Sequence, residues 1–216
     1  MQSILIIGLG RFGRHLCRKF MSLKSEVMIV DRDEATVTAL ADEATDAQIA
    51  DCTDEAALRA IGVHNFDLCF VCIGSDFASS LLITSMLKEL GAKRVVAKAS
   101  QDTHARLLLR NGADEVAYPE RDSAERWAVR LSARNVFDFI ELTDGYAIYE
   151  IPAPKDWIGR TIRELDVRNR HKLNILAVKQ GGALQPMPGA DYRFSGEEHV
   201  LAVASQEDAK KLLRGL

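Results

Sequence analysis

"ILIIGLGRFGRHL", residues 4–16, decides the reading of the first half of the chain. Ile4 to Ile7 form a strand-like apolar run, and Phe12, Leu16, Phe20 and Leu23 then recur at helical spacing. Between the two stands Gly8-x-Gly10-x-x-Gly13. Gly8 suits a tight turn, Gly10 lets a phosphate approach the backbone, and Gly13 lets helix and strand pack closely. The first N–H groups of a helix lack intrahelical partners and favour an anion. Arg11 sits inside the motif, with Arg14 and His15 behind it. Cations at a helix start oppose the macrodipole. Arg11 is therefore read either as an exposed arginine with no duty or as the partner of a phosphate, from its own chain or a neighbouring one. Helix N–H groups already serve two phosphates, so an added arginine suits a third, outer one, as in ATP.

Outward from this motif, short apolar runs alternate with helical patterns. Residues 3–8, 26–31, 46–51, 67–73, 94–99 and 114–118 read as strands. Gly62, Gly91 and Gly112 stand at helix stops. This rhythm predicts an α/β fold, a Rossmann-like doubly wound parallel sheet with helices on both faces, over residues 1–119. Residues 120–135 read as one charged amphipathic helix with Ala124, Trp127, Ala128 and Leu131 on a face. "FDFIEL" and "YAIYEI" follow as short strands, so 120–150 is expected to be a crossover helix with linker strands. Pro152 and Pro154 mark the next boundary, and 151–216 is expected to be a small α+β lobe. It holds a short helix (160–167), two strands (174–180 and 199–205) and a final helix (206–216), and it is expected to pair with a copy of itself.

In an open α/β sheet the carboxyl ends of the strands line the ligand crevice. Asp31 ends the second strand 18 residues after Gly13. A carboxylate there accepts from both ribose hydroxyls and repels a 2′-phosphate, which disfavours NADP. Arg32 either stacks on adenine or is solvated. Asp51 accepts from the adenine amino group or serves as a turn or capping residue. Lys98 reaches a phosphate or is a solvated strand-end amine. Cys52, Gly74, Ser75 and Asp76 fall at the same ends, and Phe12 lies beside Arg11 in the glycine motif.

Composition narrows the function. Hydrophobic residues make up 47% and charged residues 27%, which suits a soluble globular chain. The net charge is -3, so no basic field invites nucleic acid. No apolar run is long enough for a membrane helix, and the start reads as a strand and not a signal peptide, so a cytoplasmic place is expected. Cys69 and Cys72 form a C-x-x-C inside a strand, where an odd offset sends them to opposite faces. Buried free thiols are expected there. No Y-x-x-x-K pair exists, since Tyr118, Tyr146, Tyr149 and Tyr192 are followed four residues on by Asp122, Glu150, Ala153 and Gly196. No G-K-[ST] loop exists, and the five histidines are scattered. The expectation is a nucleotide-binding regulator and not an enzyme, with a small NAD-dependent oxidoreductase as the rival from another class.

Residues 4–16, "VMIVDRDEATV" (27–37), residues 50–74, residues 78–99 and "GADEVAYPERDSAERWA" (112–128) together resemble an RCK (KTN) domain, of the KtrA type found in the regulatory subunits of bacterial Ktr potassium uptake systems. The resemblance implies homodimers assembled into an octameric ring. The ring docks beneath a KtrB-like membrane potassium transporter and lies peripheral to the inner face of the membrane. ATP or ADP would reshape it, or NAD(H) in a Trk-type alternative. The carried-over nucleotide site is Gly8, Gly10, Arg11, Gly13, Asp31, Asp51, Gly74 and Lys98, with Arg11 reaching an outer phosphate across the dimer. Glu120 would bind Mg²⁺ or Ca²⁺ between subunits, or stand as an ordinary helix-start acid. Arg168 or Arg170, with Asn174, would contact cyclic di-AMP, or belong to a solvated basic loop.

Overall fold

A computed structural model describes residues 1–132, 138–143 and 145–213. The chain divides into two compact units, Met1–Asp122 and Ser123–Leu216. The first runs β1 (Ser3–Ile7), α1 (Arg11–Ser22), β2 (Glu26–Asp31), α2 (Glu34–Thr38), β3 (Asp46–Ile49), α3 (Glu55–Ile61), β4 (Leu68–Val71), α4 (Phe77–Glu89), β5 (Val95–Lys98), α5 (Asp102–Arg110) and β6 (Glu115–Ala117), then enters α6 (Pro119–Ser132). The six strands are all parallel, in the order β3-β2-β1-β4-β5-β6. This is the doubly wound sheet expected from the alternation, and its order reverses between β1 and β4.

Both faces of that sheet are covered. Leu5, Ile7, Cys69, Val71, Val95 and Ala97 bury into one core with Leu58, Ile83, Leu87 and Leu108. Ile4, Ile6, Val27, Ile29, Phe70 and Cys72 bury into the other with Cys17, Val37 and Leu40. Continuous apolar strands are required when a sheet is buried on two sides. Cys69 and Cys72 fall in opposite cores, as the strand offset demands. All four cysteines are free and buried, and burial pushes the Cys69 and Cys72 thiols up to about 12.

The second unit contains β7 (Asp138–Thr143), β8 (Tyr146–Pro152), α7 (Ile162–Leu165), α8 (Val167–Arg170), β9 (Asn174–Gln180), β10 (Ala183–Pro186), β11 (His199–Ser205) and α9 (Gln206–Leu213). Its sheet runs β10-β9-β11-β8-β7, with every neighbour antiparallel. Two expectations are corrected here. The strands assigned to a linker within 120–150 are strands of this sheet. β8 pairs with β11 along its length, from Tyr146 opposite Ser205 to Pro152 opposite His199. Ala147, Tyr149 and Ile151 alternate into the core that also holds Val200, Ala202, Trp157 and Phe194, so the strand cannot stand outside it. Pro152 therefore ends a strand, and the compact division lies upstream, within α6. Residues 133–135 of the expected helix lie outside the described residues. β10 was not anticipated, because all four of its residues are exposed and carry no alternation.

Candidate nucleotide site

A cleft of about 530 Å³ opens where the strand order reverses. Gly8, Gly10, Arg11 and Phe12 reach it from the turn after β1, and Asp31 and Arg32 from the end of β2. Asp51 and Cys52 follow β3, Gly74, Ser75 and Asp76 follow β4, and Lys98 ends β5. Glu120 joins them from the first turn of α6. Residues spread over more than a hundred positions converge because every parallel strand delivers its carboxyl end to the same edge.

The three glycines differ in what surrounds them. Gly8 has φ +94°, and a Cβ there would meet the Ile73 side chain at 3.0 Å. Gly13 lies under the turn and not on the cleft wall, where a Cβ would fall 2.1 Å from the Gly8 carbonyl oxygen. Nothing stands within 4 Å of a Cβ built on Gly10, so the backbone there faces open space. Gly10 is the N-cap of α1, no side chain caps it, and the first turn holds no acid. This helix start keeps free N–H groups and positive potential for an anion from outside. Arg11 is exposed beside them and makes no hydrogen bond or ion pair among the described residues.

Asp31 is tied to the turn it faces. Its Oδ2 accepts from the Leu9 N–H at 2.7 Å and its Oδ1 from the Asp33 N–H at 3.0 Å. Arg14 holds the same turn from the other side, donating from Nε to the Leu9 carbonyl at 2.8 Å. This role for Arg14 was missed, because the sequence showed only a cation near a helix start. Asp51 Oδ1 accepts from the Thr53 N–H at 2.9 Å and hydroxyl at 2.7 Å, the turn-residue arrangement. Those bonds hold its carboxyl below the usual range, with Arg32 adding a smaller effect. Asp76 caps α4 through the Ser79 N–H and hydroxyl, and its carboxyl is lowered by those bonds. Burial pushes the Cys52 thiol up to about 12, so it is a neutral wall group. Lys98 Nζ and Glu120 Oε1 form an ion pair at 2.7 Å, joining two residues that the sequence assigned to separate tasks.

Among the described residues no three His, Cys, Asp or Glu side chains gather into a metal-binding group. Glu120, paired with Lys98, does not make a divalent-cation site from one chain alone. In the second unit, Arg168 donates from Nε and Nη2 to the Asn174 side-chain oxygen at 3.2 and 2.9 Å. Arg170 lines a different hollow, with Lys155, His171 and Lys211. No described helix is long and apolar enough to cross a membrane.

Comparison with known proteins agrees with the architecture. The TrkA-N domain model matches residues 4–119 and the TrkA-C domain model residues 146–215. The Ktr system potassium uptake protein C of Bacillus subtilis (strain 168) is 37% identical over 210 residues, 97% of this chain and 95% of its own. The Ktr system potassium uptake protein A of Vibrio alginolyticus is 30% identical over 215 residues, 100% of this chain and 98% of its own. A solved GsuK channel bound to NAD matches in fold, with a TM-score of 0.70 and 20% identity over 98% of this chain and 39% of that one.

Proposed function

The chain belongs to the family that joins a TrkA-N to a TrkA-C domain, and from that premise we propose that it is the nucleotide-binding regulatory subunit of a potassium uptake system. ATP and ADP are its ligands, and their exchange changes the conformation of an assembly of copies docked on a membrane transporter subunit at the cytoplasmic side. The copies pair as homodimers, and the pairs close into an octameric ring. Relatives named as Ktr system potassium uptake proteins, similar over nearly the full length of both chains, support the transport assignment. One observation carries the nucleotide assignment. The uncapped, acid-free start of α1, the open backbone at Gly10, the Asp31 carboxylate and the unpaired Arg11 all face one cleft.

Each residue then has a task. The α1 N–H groups and Gly10 receive the inner phosphates, and Asp31 accepts from the ribose hydroxyls. Asp51 accepts from adenine, Lys98 meets a phosphate, and Arg11 meets the outer phosphate of ATP. Binding and reshaping need no bond to be made or broken, so no catalytic group is assigned. Among the described residues one chain gathers no cation site, so Glu120 would need its counterpart from a second copy to hold Mg²⁺ or Ca²⁺.

Calorimetric titration of the chain with ATP, ADP and NADH tests the ligand, and copurification with the membrane subunit tests the partner. Tight binding of ATP and ADP with nucleotide-dependent potassium uptake is expected. Preference for NADH favours the NAD(H)-responsive reading, and hydride transfer to an added acceptor overturns the regulatory one.

A further inference from the structure

Lys98 and Glu120 are bound to each other at 2.7 Å, but their surroundings are unequal. The Lys98 side chain is 16% exposed and the Glu120 side chain 64% exposed. Lys98 lies across Gly74, where a Cβ would come within 3.4 Å of Nζ, 3.6 Å of Cε and 3.7 Å of Cδ. Its amine is thus laid along the loop after β4, inside the cleft, by packing against bare backbone. Glu120 belongs to the second position of α6 and reaches the amine from the rim. The lysine holds the Glu120 carboxyl below its usual range.

We propose that this pair is a displaceable counter-ion. Glu120 occupies Lys98 when the cleft holds no phosphate, and a ligand phosphate takes Lys98 from it. The inference rests on the nucleotide reading above and adds a determinant of phosphate affinity to it. A largely buried ammonium needs a partner at all times, because an unpaired buried charge is costly. Glu120 supplies one but loses little on leaving, since a mostly exposed carboxylate regains its hydration. A phosphate offers more charge and more acceptor oxygens to the same amine. The exchange lowers phosphate affinity by the cost of the resident pair. It also frees the first turn of α6, the helix that continues from the first unit into the second. A ligand without phosphate leaves the pair intact. Charge on the ligand is thereby converted into a change at the start of the connecting helix.

The test is calorimetric titration of the full chain with ADP and with adenosine, in EDTA so that no divalent cation takes part. Wild type is compared with Glu120→Gln, Lys98→Gln and the double variant, each checked for an unchanged melting profile. Glu120→Gln is expected to bind ADP about threefold to fivefold tighter, the range for losing a partly exposed competing pair, and adenosine equally well. Lys98→Gln is expected to weaken ADP, and Glu120→Gln to add nothing in that background. The proposal is overturned if Glu120→Gln leaves ADP affinity unchanged or lowers it. It is also overturned if the gain persists without Lys98, because Glu120 would then act on phosphate directly. Glu120 is exposed enough that its substitution should not unfold the chain, so that arm decides the matter even if Lys98→Gln fails to fold. Wild type that binds neither ADP nor adenosine would refute the nucleotide reading itself, a result distinct from all of these.

Discussion

At the scale of single residues, the proposed site divides its work between side chains that hold the turn and side chains assigned to a ligand. Asp31 does both. Its carboxylate already accepts from Leu9 and Asp33 N–H groups, and oxygen lone pairs remain for a ribose. Asp31→Ala should weaken ATP, ADP and NADH alike, by about 1.5–3 kcal/mol for a lost charge-assisted contact. It should also lower the melting temperature, because the Leu9 N–H loses its acceptor. Calorimetry and a thermal melt read the two effects, and an intact affinity for all three ligands would remove Asp31 from the site. Arg11 differs, since it does nothing for the turn. Arg11→Ala should leave the melt unchanged and reduce ATP affinity about tenfold more than ADP affinity, the effect of one charge-assisted contact of about 1.4 kcal/mol. Equal losses for both nucleotides would place it on an inner phosphate.

At the scale of elements, the start of α1 carries the argument. Gly13 and Gly10 are three residues apart and should respond oppositely. Gly13→Ala forces a Cβ to within 2.1 Å of the Gly8 carbonyl, so strand and helix must separate. A destabilisation of about 1–3 kcal/mol is expected in chemical denaturation, the usual cost of overpacking. Gly10→Ala has open space around it and φ -64°, which any residue adopts. Its stability should stay within about 0.5 kcal/mol of wild type. Nucleotide affinity should nevertheless collapse, because the added methyl occupies the space a phosphate needs. A Gly10→Ala protein that binds ADP normally would move the phosphates elsewhere. A different junction contributes to acid sensitivity. Asp67, just before β4, accepts from Lys93 at 2.8 Å and from the Ser3 N–H at 3.1 Å, pinning the entry of β1. Chiefly through Lys93, its carboxyl falls to about 2 from an ordinary 3.8. A depressed folded value means stability that is present above about pH 4 and lost as the pH falls towards 2. Urea melts between pH 5 and 2 should show that loss, and Asp67→Asn should make it smaller while the other lowered carboxyls, Asp76 and Asp114 among them, keep the rest.

At the scale of the whole molecule, several large apolar side chains of the second unit stay in water. Leu131 of α6 is 73% exposed, and Trp127, Ile140 and Leu142 are about half exposed. Trp127 and Leu131 lie four residues apart on one face of α6, and exposed apolar residues sharing a face mark an association surface. In the proposed assembly a second copy covers them. Leu131→Asp should then shift the chain from dimer or larger assembly towards monomer in sedimentation velocity. If Arg11 acts across the dimer, the same variant should lose the preference for ATP over ADP while keeping ADP affinity. An unchanged sedimentation profile would place the pairing surface elsewhere.

Residues 4–16 by themselves determined the strand, turn and helix that open the parallel sheet. A strand, three glycines at fixed spacing and a helix are local requirements, and a local requirement is written in consecutive residues. The inner strands of the first unit were legible for the same reason, since burial on both faces demands unbroken apolar runs, whereas the edge strands β3 and β6 are only partly covered. Tertiary structure alone decided how distant side chains use one another. Asp31 on the Leu9 N–H and Lys98 on Glu120, each 22 residues apart, are pairings set by where parallel strands end. Spacing in sequence carries no trace of them. The same holds for β8. Its Pro152, with Pro154 just beyond it, read as a boundary, but its partner β11 lies some fifty residues downstream, and only pairing with that strand shows it to be part of the second sheet.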